Sequence, residues 1–207
     1  MSDSVHTPRH LCDPSRHRRL LDPVYRLVDQ PAQLLEEMGI VPGMRVADMG
    51  CGPGFFTLPL LDLVSPGGCV AAVELQDLML DALREELAGE DLPEGLLEIH
   101  HGNLNHTDLS DHAWDAALYA FTLHEVEPLA ALREARRILK PEGRLLVMEW
   151  GHGDCPVRND GRRAGPPMDH RLLPPALDAA LTQCGFVRTA GGVRLGGCQY
   201  WAAAVPG

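Results

Sequence analysis

Between residues 45 and 150, short apolar runs alternate with segments whose apolar residues recur at three- and four-residue spacing. The runs predict strands at Arg45–Met49, Cys69–Leu75, Leu97–His101, Ala113–Phe121 and Arg144–Trp150. Apolar stretches of this length suit strands buried on both faces. The amphipathic segments predict helices over Ala32–Met38, Phe55–Leu63, Leu78–Leu87 and Pro128–Leu139. Turn residues punctuate them: Gly39, Val41-Pro42-Gly43, Ser65-Pro66-Gly67-Gly68 and Lys140-Pro141-Glu142-Gly143. Pro59 fits its helix only in or near the first turn, which leaves that helix's start open.

Strands alternating with helices predict βαβ units, hence an α/β fold whose doubly wound parallel sheet is covered on both faces. The C-terminal part reads differently. A Gly/Pro/Arg-rich loop from His152 to Pro167 leads to a helix over Pro175–Cys184, then to strand-like runs Phe186–Val193 and Gln199–Val205. Leu195-Gly196-Gly197 between those runs is too short for a crossover helix, so they predict an antiparallel hairpin. Pro8, Pro14 and Pro23 break up the polar start of the chain. Residues 1–29 therefore read as an N-terminal extension, expected to cover the active-site side of one main domain over residues 30–207.

Composition narrows the function classes. A net charge of −11 on 207 residues argues against a broad nucleic-acid or anionic-membrane surface. Arg16, His17, Arg18 and Arg19, and later Arg158, Arg162 and Arg163, form local basic groups that read as solvated faces or loops. The start, Met1-Ser2-Asp3-Ser4-Val5-His6, has no apolar leader, and no segment is long enough to span a bilayer. Six cysteines without a C-x-x-C pair predict reduced thiols and a cytoplasmic protein. His6, His10, Cys12 and His17 match no standard zinc spacing, so no metal is expected.

The most informative stretch is Val46-Ala47-Asp48-Met49-Gly50-Cys51-Gly52-Pro53-Gly54-Phe55. A strand runs into three alternate glycines and then a helix, whose free N–H groups point back at the loop. A dinucleotide fingerprint needs glycine where Phe55 stands, and a P-loop needs a Gly-Lys-Ser/Thr ending that is absent. Glu74, about twenty residues on at the end of the second strand, has the spacing of a ribose-binding acid. Ribose recognition without a phosphate cradle indicates a nucleoside-type cofactor. Asp48 and Glu74 could instead stabilise a turn and sit as an ordinary strand-end carboxylate.

These motifs, with His101-Gly102-Asn103-Leu104, Asp115 to Val126 and Leu139 to Val147, resemble the class I S-adenosylmethionine-dependent methyltransferases over roughly residues 30 to 204. Leu123-His124-Glu125-Val126 and Gly165 to Arg171 resemble the ubiquinone/menaquinone-biosynthesis C-methyltransferases and their small-molecule relatives. The resemblance implies a Rossmann-like seven-stranded sheet, mostly parallel with an antiparallel C-terminal hairpin. It also implies S-adenosylmethionine as methyl donor, S-adenosylhomocysteine as product and a small-molecule acceptor.

Carried onto this chain, the family's cofactor site maps to Asp48, Gly50, Cys51, Gly52, Glu74, Leu75, Asn103, Leu104 and Ala120, with Asn103 where aspartate is more usual. Phe121 to His124, Glu149, Trp150 and the loop near His170 would face the acceptor. His124 and Glu149 are the candidate catalytic residues; the alternatives are a backbone hydrogen bond or helix start for His124 and a structural ion pair for Glu149. Cys155 has no convincing thiol partner set for arsenite chemistry. A silent S-adenosylmethionine-binding module is the competing reading, followed by a nicotinamide-dependent oxidoreductase, which Phe55 disfavours.

Overall fold

The computed structural model describes Asp13, Ser15, residues 17–158 and residues 161–207. Arg16 and the His6, His10 and Cys12 group lie outside the described residues. The strands are β1 (Arg45–Met49), β2 (Cys69–Glu74), β3 (Leu97–His101), β4 (Trp114–Ala120), β5 (Leu139–Trp150), β6 (Phe186–Arg194) and β7 (Gln199–Pro206). They form one seven-stranded sheet in the order β3-β2-β1-β4-β5-β7-β6. The first five run parallel, and β7 lies antiparallel to both β5 and β6. The helices are α1 (His17–Leu20), α2 (Pro23–Arg26), α3 (Pro31–Glu37), α4 (Thr57–Val64), α5 (Asp77–Glu86), α6 (Pro128–Ile138) and α7 (Pro174–Gln183).

Most boundaries fall within two residues of the sequence expectation. The start of α4 at Thr57 places Pro59 in the first turn, where its missing N–H costs no hydrogen bond. The larger difference is β5. Leu139 already pairs with Trp114, and a register shift lets residues 140–143 loop out before Arg144 resumes opposite Ala116.

Alternation along the strands feeds two cores. Ala47 and Met49 of β1 and Tyr119 of β4 face α6 and α7, where Leu132, Ile138, Leu177 and Leu181 cover them. Val46, Leu118 and Leu146 face the other way, under Leu35 of α3 and Leu60 and Val64 of α4. The strand order reverses between β1 and β4, so the connections leave in opposite directions and open a crevice at the C-terminal strand ends.

A polar network braces one side of that crevice. Glu134 of α6 accepts from the Thr107 backbone N–H (2.7 Å), the Thr107 hydroxyl (2.6 Å) and Arg137 (2.6 Å), while Arg137 also donates to the Leu109 carbonyl (2.8 Å). It thereby pins the segment after β3 to the body of the fold.

One expectation is corrected. Cys155 and Cys198 are not reduced thiols but form a disulfide. Backbone bonds from Gly151 to the Cys198 carbonyl and from Gly153 to the Gly197 carbonyl bring the exit of β5 against the start of β7, so the two cysteines meet. Cys51, Cys69 and Cys184 are free. Among the described residues, no helix is long and apolar enough to cross a membrane.

Two stability outcomes follow from this packing. Glu134→Ala should cost about 1–3 kcal/mol in urea unfolding, because it leaves the Thr107 N–H without its acceptor and removes one of the anions paired with Arg137. Burial acts to raise the Glu134 pKa, but hydrogen bonds from Arg137 and Thr107 outweigh it and hold the carboxyl below its ordinary range. The difference between wild type and variant should therefore be full above the ordinary glutamate value and shrink as pH falls through the lowered one. Gly54→Ala should lower stability by about 1–3 kcal/mol. Its φ is +102° and a Cβ there would sit 2.5 Å from Leu83 Cδ1, so a thermal melt should move down.

Candidate functional site

At the end of β1 the chain turns through Gly50 (φ +82°) and Gly52 (φ +54°), angles that a side chain would strain. The Gly50 and Cys51 N–H groups both donate to the Val73 carbonyl of β2, at 2.8 and 3.0 Å. A Cβ on Gly50 would strike Thr122 at 2.5 Å, whereas one on Gly52 would meet nothing within 4 Å. Glu74 draws the loop down. One of its carboxylate oxygens accepts from Gly52 N–H (3.1 Å) and the other from Leu75 (2.8 Å) and Gln76 (3.0 Å). Burial raises the Glu74 pKa, and these three amides act to offset that. Behind the loop, buried Asp48 accepts from the Thr57 hydroxyl at 2.6 Å. Burial pushes its carboxyl up to about 6, although the Thr57 bond and the Arg26 charge pull the other way.

The facing wall comes from the ends of β4 and β5. Phe121 turns out of β4 with φ +59°, its N–H held by the Met148 carbonyl at 2.7 Å. The Thr122 hydroxyl ties that exit to Met49 of β1 at 3.1 Å. His124 then sits on Glu149, which is fully buried on β5. Nδ1 lies 2.8 Å from one Glu149 oxygen, and the His124 backbone N–H donates to the other at 3.2 Å. Nε2 is 3.9 Å from Glu125. Burial by itself lowers the His124 pKa, but the charge and hydrogen bond of Glu149, with help from Glu125, raise it overall. Burial also pushes Glu125 up to about 7, against the pull of His124. Trp150, next on the strand and so on the opposite face, packs against Phe121 with ring centres 4.8 Å apart.

A third side is built from α2 and the loop after β5. Arg26 lies over the rings of Phe55 and Phe121 at 5.8 and 5.7 Å, and its carbonyl is gripped by the Gln199 amide at 2.7 Å. Arg158 stacks on Tyr25, 3.8 Å from the ring centre, and donates to the Tyr25 carbonyl at 2.9 Å. Arg171 secures the same loop through the carbonyls of Gly151, Ala164 and Pro166. Together these elements enclose a cavity of about 270 Å³ at the C-terminal strand ends.

Of the residues singled out from sequence, Gly50, Gly52, Glu74, Leu75, Asn103, Leu104 and His124 line this one cavity. Asp48, Cys51, Ala120 and Glu149 stand behind its wall. Cys51 packs with Ala72, Leu80 and Leu83, and burial pushes its thiol well up, so it is a packing residue. Ala120 is paired in the sheet with Met148. The loop near His170 contributes Gly165 and Pro166 rather than His170 itself. Leu20, Tyr25, Arg26, Asn105 and Arg158 also line the cavity, and no motif marks them. Arg158 lies on a loop, one of the two settings expected for its basic group, but it stacks on Tyr25 and lines the cavity. Among the described residues, no group of three His, Cys, Asp or Glu is placed to hold a metal.

The lining suits a nucleoside carrying a positive charge. Gly52 leaves open space where a side chain would stand, Glu74 offers an acid, and Leu75, Met79 and Leu104 supply apolar walls. Asn105 adds a buried carboxamide oxygen with no hydrogen-bond partner, an acceptor available to a ligand.

Comparison with known proteins agrees. Residues 47–147 match the family described as Methyltransferase domain. The chain is 29% identical over 126 residues to a demethylmenaquinone methyltransferase of Staphylococcus aureus, covering 60% of this chain and 51% of the relative. It thus spans about half the length of the curated relatives it matches. A crystal structure of an S-adenosylmethionine-dependent methyltransferase from Aquifex aeolicus superposes with a TM-score of 0.81 at 29% identity, covering 94% of this chain and 98% of that one. The CcbJ methyltransferase from Streptomyces caelestis, at 17% identity and a TM-score of 0.68 over 94% of this chain and 99% of that one, shares the fold. With the strand order, the glycine loop and the strand-end acid in place, residues 47–147 carry a methyltransferase domain, and the chain has the architecture of the class I S-adenosylmethionine-dependent methyltransferases.

Proposed function

We propose that this protein transfers a methyl group from S-adenosylmethionine to a small-molecule acceptor held beside His124. The observation that carries this reading is that the glycine loop with Glu74 opens into the same cavity as His124, which rests on the buried Glu149. S-adenosylmethionine, when bound, would supply an electrophilic methyl on a sulfonium, with S-adenosylhomocysteine as the product released.

The chain's own residues bind, orient and move a proton. Glu74 accepts hydrogen bonds from the ribose hydroxyls, exchanging its backbone partners in part. Leu75, Asn103 and Leu104 hold the adenine. Gly50 and Gly52 would lie along the methionine portion, with Asp48 acting through the loop on the ammonium group. Orientation of the acceptor supplies much of the rate. For an acceptor that must lose a proton, His124 receives it at Nε2. Its Nδ1–H points at Glu149, which fixes the tautomer and stabilises the imidazolium that forms. Glu149 is thus a positioning residue. Leu20, Tyr25 and Arg26 of the N-terminal segment close the acceptor side and exclude water.

Calorimetry tests the cofactor assignment. Glu74→Ala should weaken S-adenosylmethionine binding at least about tenfold, because an anionic acceptor of hydrogen bonds is removed; undiminished binding would falsify the ribose role. Kinetics test the base. A base must be neutral to accept a proton, and the His124 pKa is raised, so the rate should fall on acidification starting above the ordinary imidazole value of about 6.5. In Glu149→Gln this limb should move to lower pH while kcat drops and the KM for S-adenosylmethionine holds. An unchanged pH profile in that variant rules out the pair as the proton acceptor. Cofactor binding with no turnover on a broad acceptor panel would favour the silent-module reading.

A further inference from the structure

The cavity carries charge of both signs. The carboxylates of Glu74 and Glu125 line it, with Asp48 and Glu149 buried nearby, and so do Arg26 and Arg158. The two arginines differ in what they face. Arg26 reaches inward, and its charge acts on Asp48, His124 and Glu125. Arg158 makes no ion pair among the described residues. Its guanidinium lies flat on Tyr25 and spends one N–H on the Tyr25 carbonyl, while its Nε is buried without any hydrogen-bond partner. A buried N–H of a permanent cation left unpaired costs free energy that a ligand can recover.

Resting on the methyltransferase reading, we propose that Arg158 binds an acidic group of the methyl acceptor, and that the acceptors are small aromatic acids. Planar geometry supports this choice. Arg158 is stacked and so presents its N–H edge in a fixed plane, the arrangement that receives a carboxylate side-on. The rings of Phe121 and Trp150 line the same cavity as Arg158 and His124 and suit a flat apolar body. The acid then lies on Arg158, and the nucleophilic edge of the ring points toward His124 and the glycine loop. The sulfonium would lie by the glycine loop and Glu74, so each charge meets its opposite.

The experiment is calorimetry on protein saturated with S-adenosylhomocysteine. The probes are three acids, benzoate, phenylacetate and indole-3-acetate, each paired with its uncharged primary amide. Wild type should bind the acid of at least one pair about ten- to hundredfold more tightly than the amide, the effect of a charge-assisted hydrogen bond. Arg158→Met should bring that ratio close to one, and Arg158→Lys should restore part of it. S-adenosylhomocysteine binding should be the same in all three proteins, which also shows that the variants fold. The proposal is overturned if no acid outbinds its amide, or if the preference survives in Arg158→Met while S-adenosylhomocysteine still binds. Wild type that fails to bind S-adenosylhomocysteine overturns the methyltransferase reading itself.

Discussion

A carboxylate buried at the end of a strand is tolerable only when donors come to meet it, and this requirement organises the site. Glu74 ends β2, Asp48 and Glu149 are the penultimate residues of β1 and β5, and all three are buried. Each is satisfied by a segment that would otherwise be free to move. Thr57 at the start of α4 answers Asp48, the Gly52 N–H and two further amides answer Glu74, and the backbone and ring of His124 answer Glu149. The glycine loop, the start of α4 and the turn after β4 are therefore fixed by charge satisfaction as well as by packing.

The same constraint tunes the chemistry. Burial alone would leave His124 a weak base, but the anion beneath it reverses the balance. It also leaves Asp48 and Glu125 near the edge of ionisation, at about 6 and about 7. A ligand with positive charge beside these acids relieves this strain, whereas a negative one adds to it. The arginines of the cavity come from α2 and the loop after β5, elements distant in sequence. Arg158 grips Tyr25, Gln199 grips Arg26, and the Cys155–Cys198 bond joins the loop to the start of β7. This wall of the cavity thus joins an early helix to segments from the end of the chain.

How much was legible follows that division. β1 and β3 have the limits that alternation predicted, and Glu74 and Gly52 stand where the loop spacing put them. Local sequence carries this information because a strand end, a three-glycine turn and a helix start are adjacent in the chain. Arg158 was read with Arg162 and Arg163 as a solvated face or loop, and its stacking on Tyr25 is 133 residues away in sequence. No pattern local to either residue encodes that contact. Cys155 and Cys198 were read as separate thiols for the same reason, since they meet only once β7 has paired with β5.

Hydrophobic period and turn chemistry are short-range properties, so the chain alone specifies a parallel sheet, its C-terminal hairpin and a glycine loop suited to a nucleoside. Charge satisfaction and cavity shape are long-range, because they depend on which strand ends become neighbours. Folding therefore settles that Glu149 lies beneath His124, that Cys51 and Ala120 stand behind the wall rather than in it, and that two arginines line the cavity.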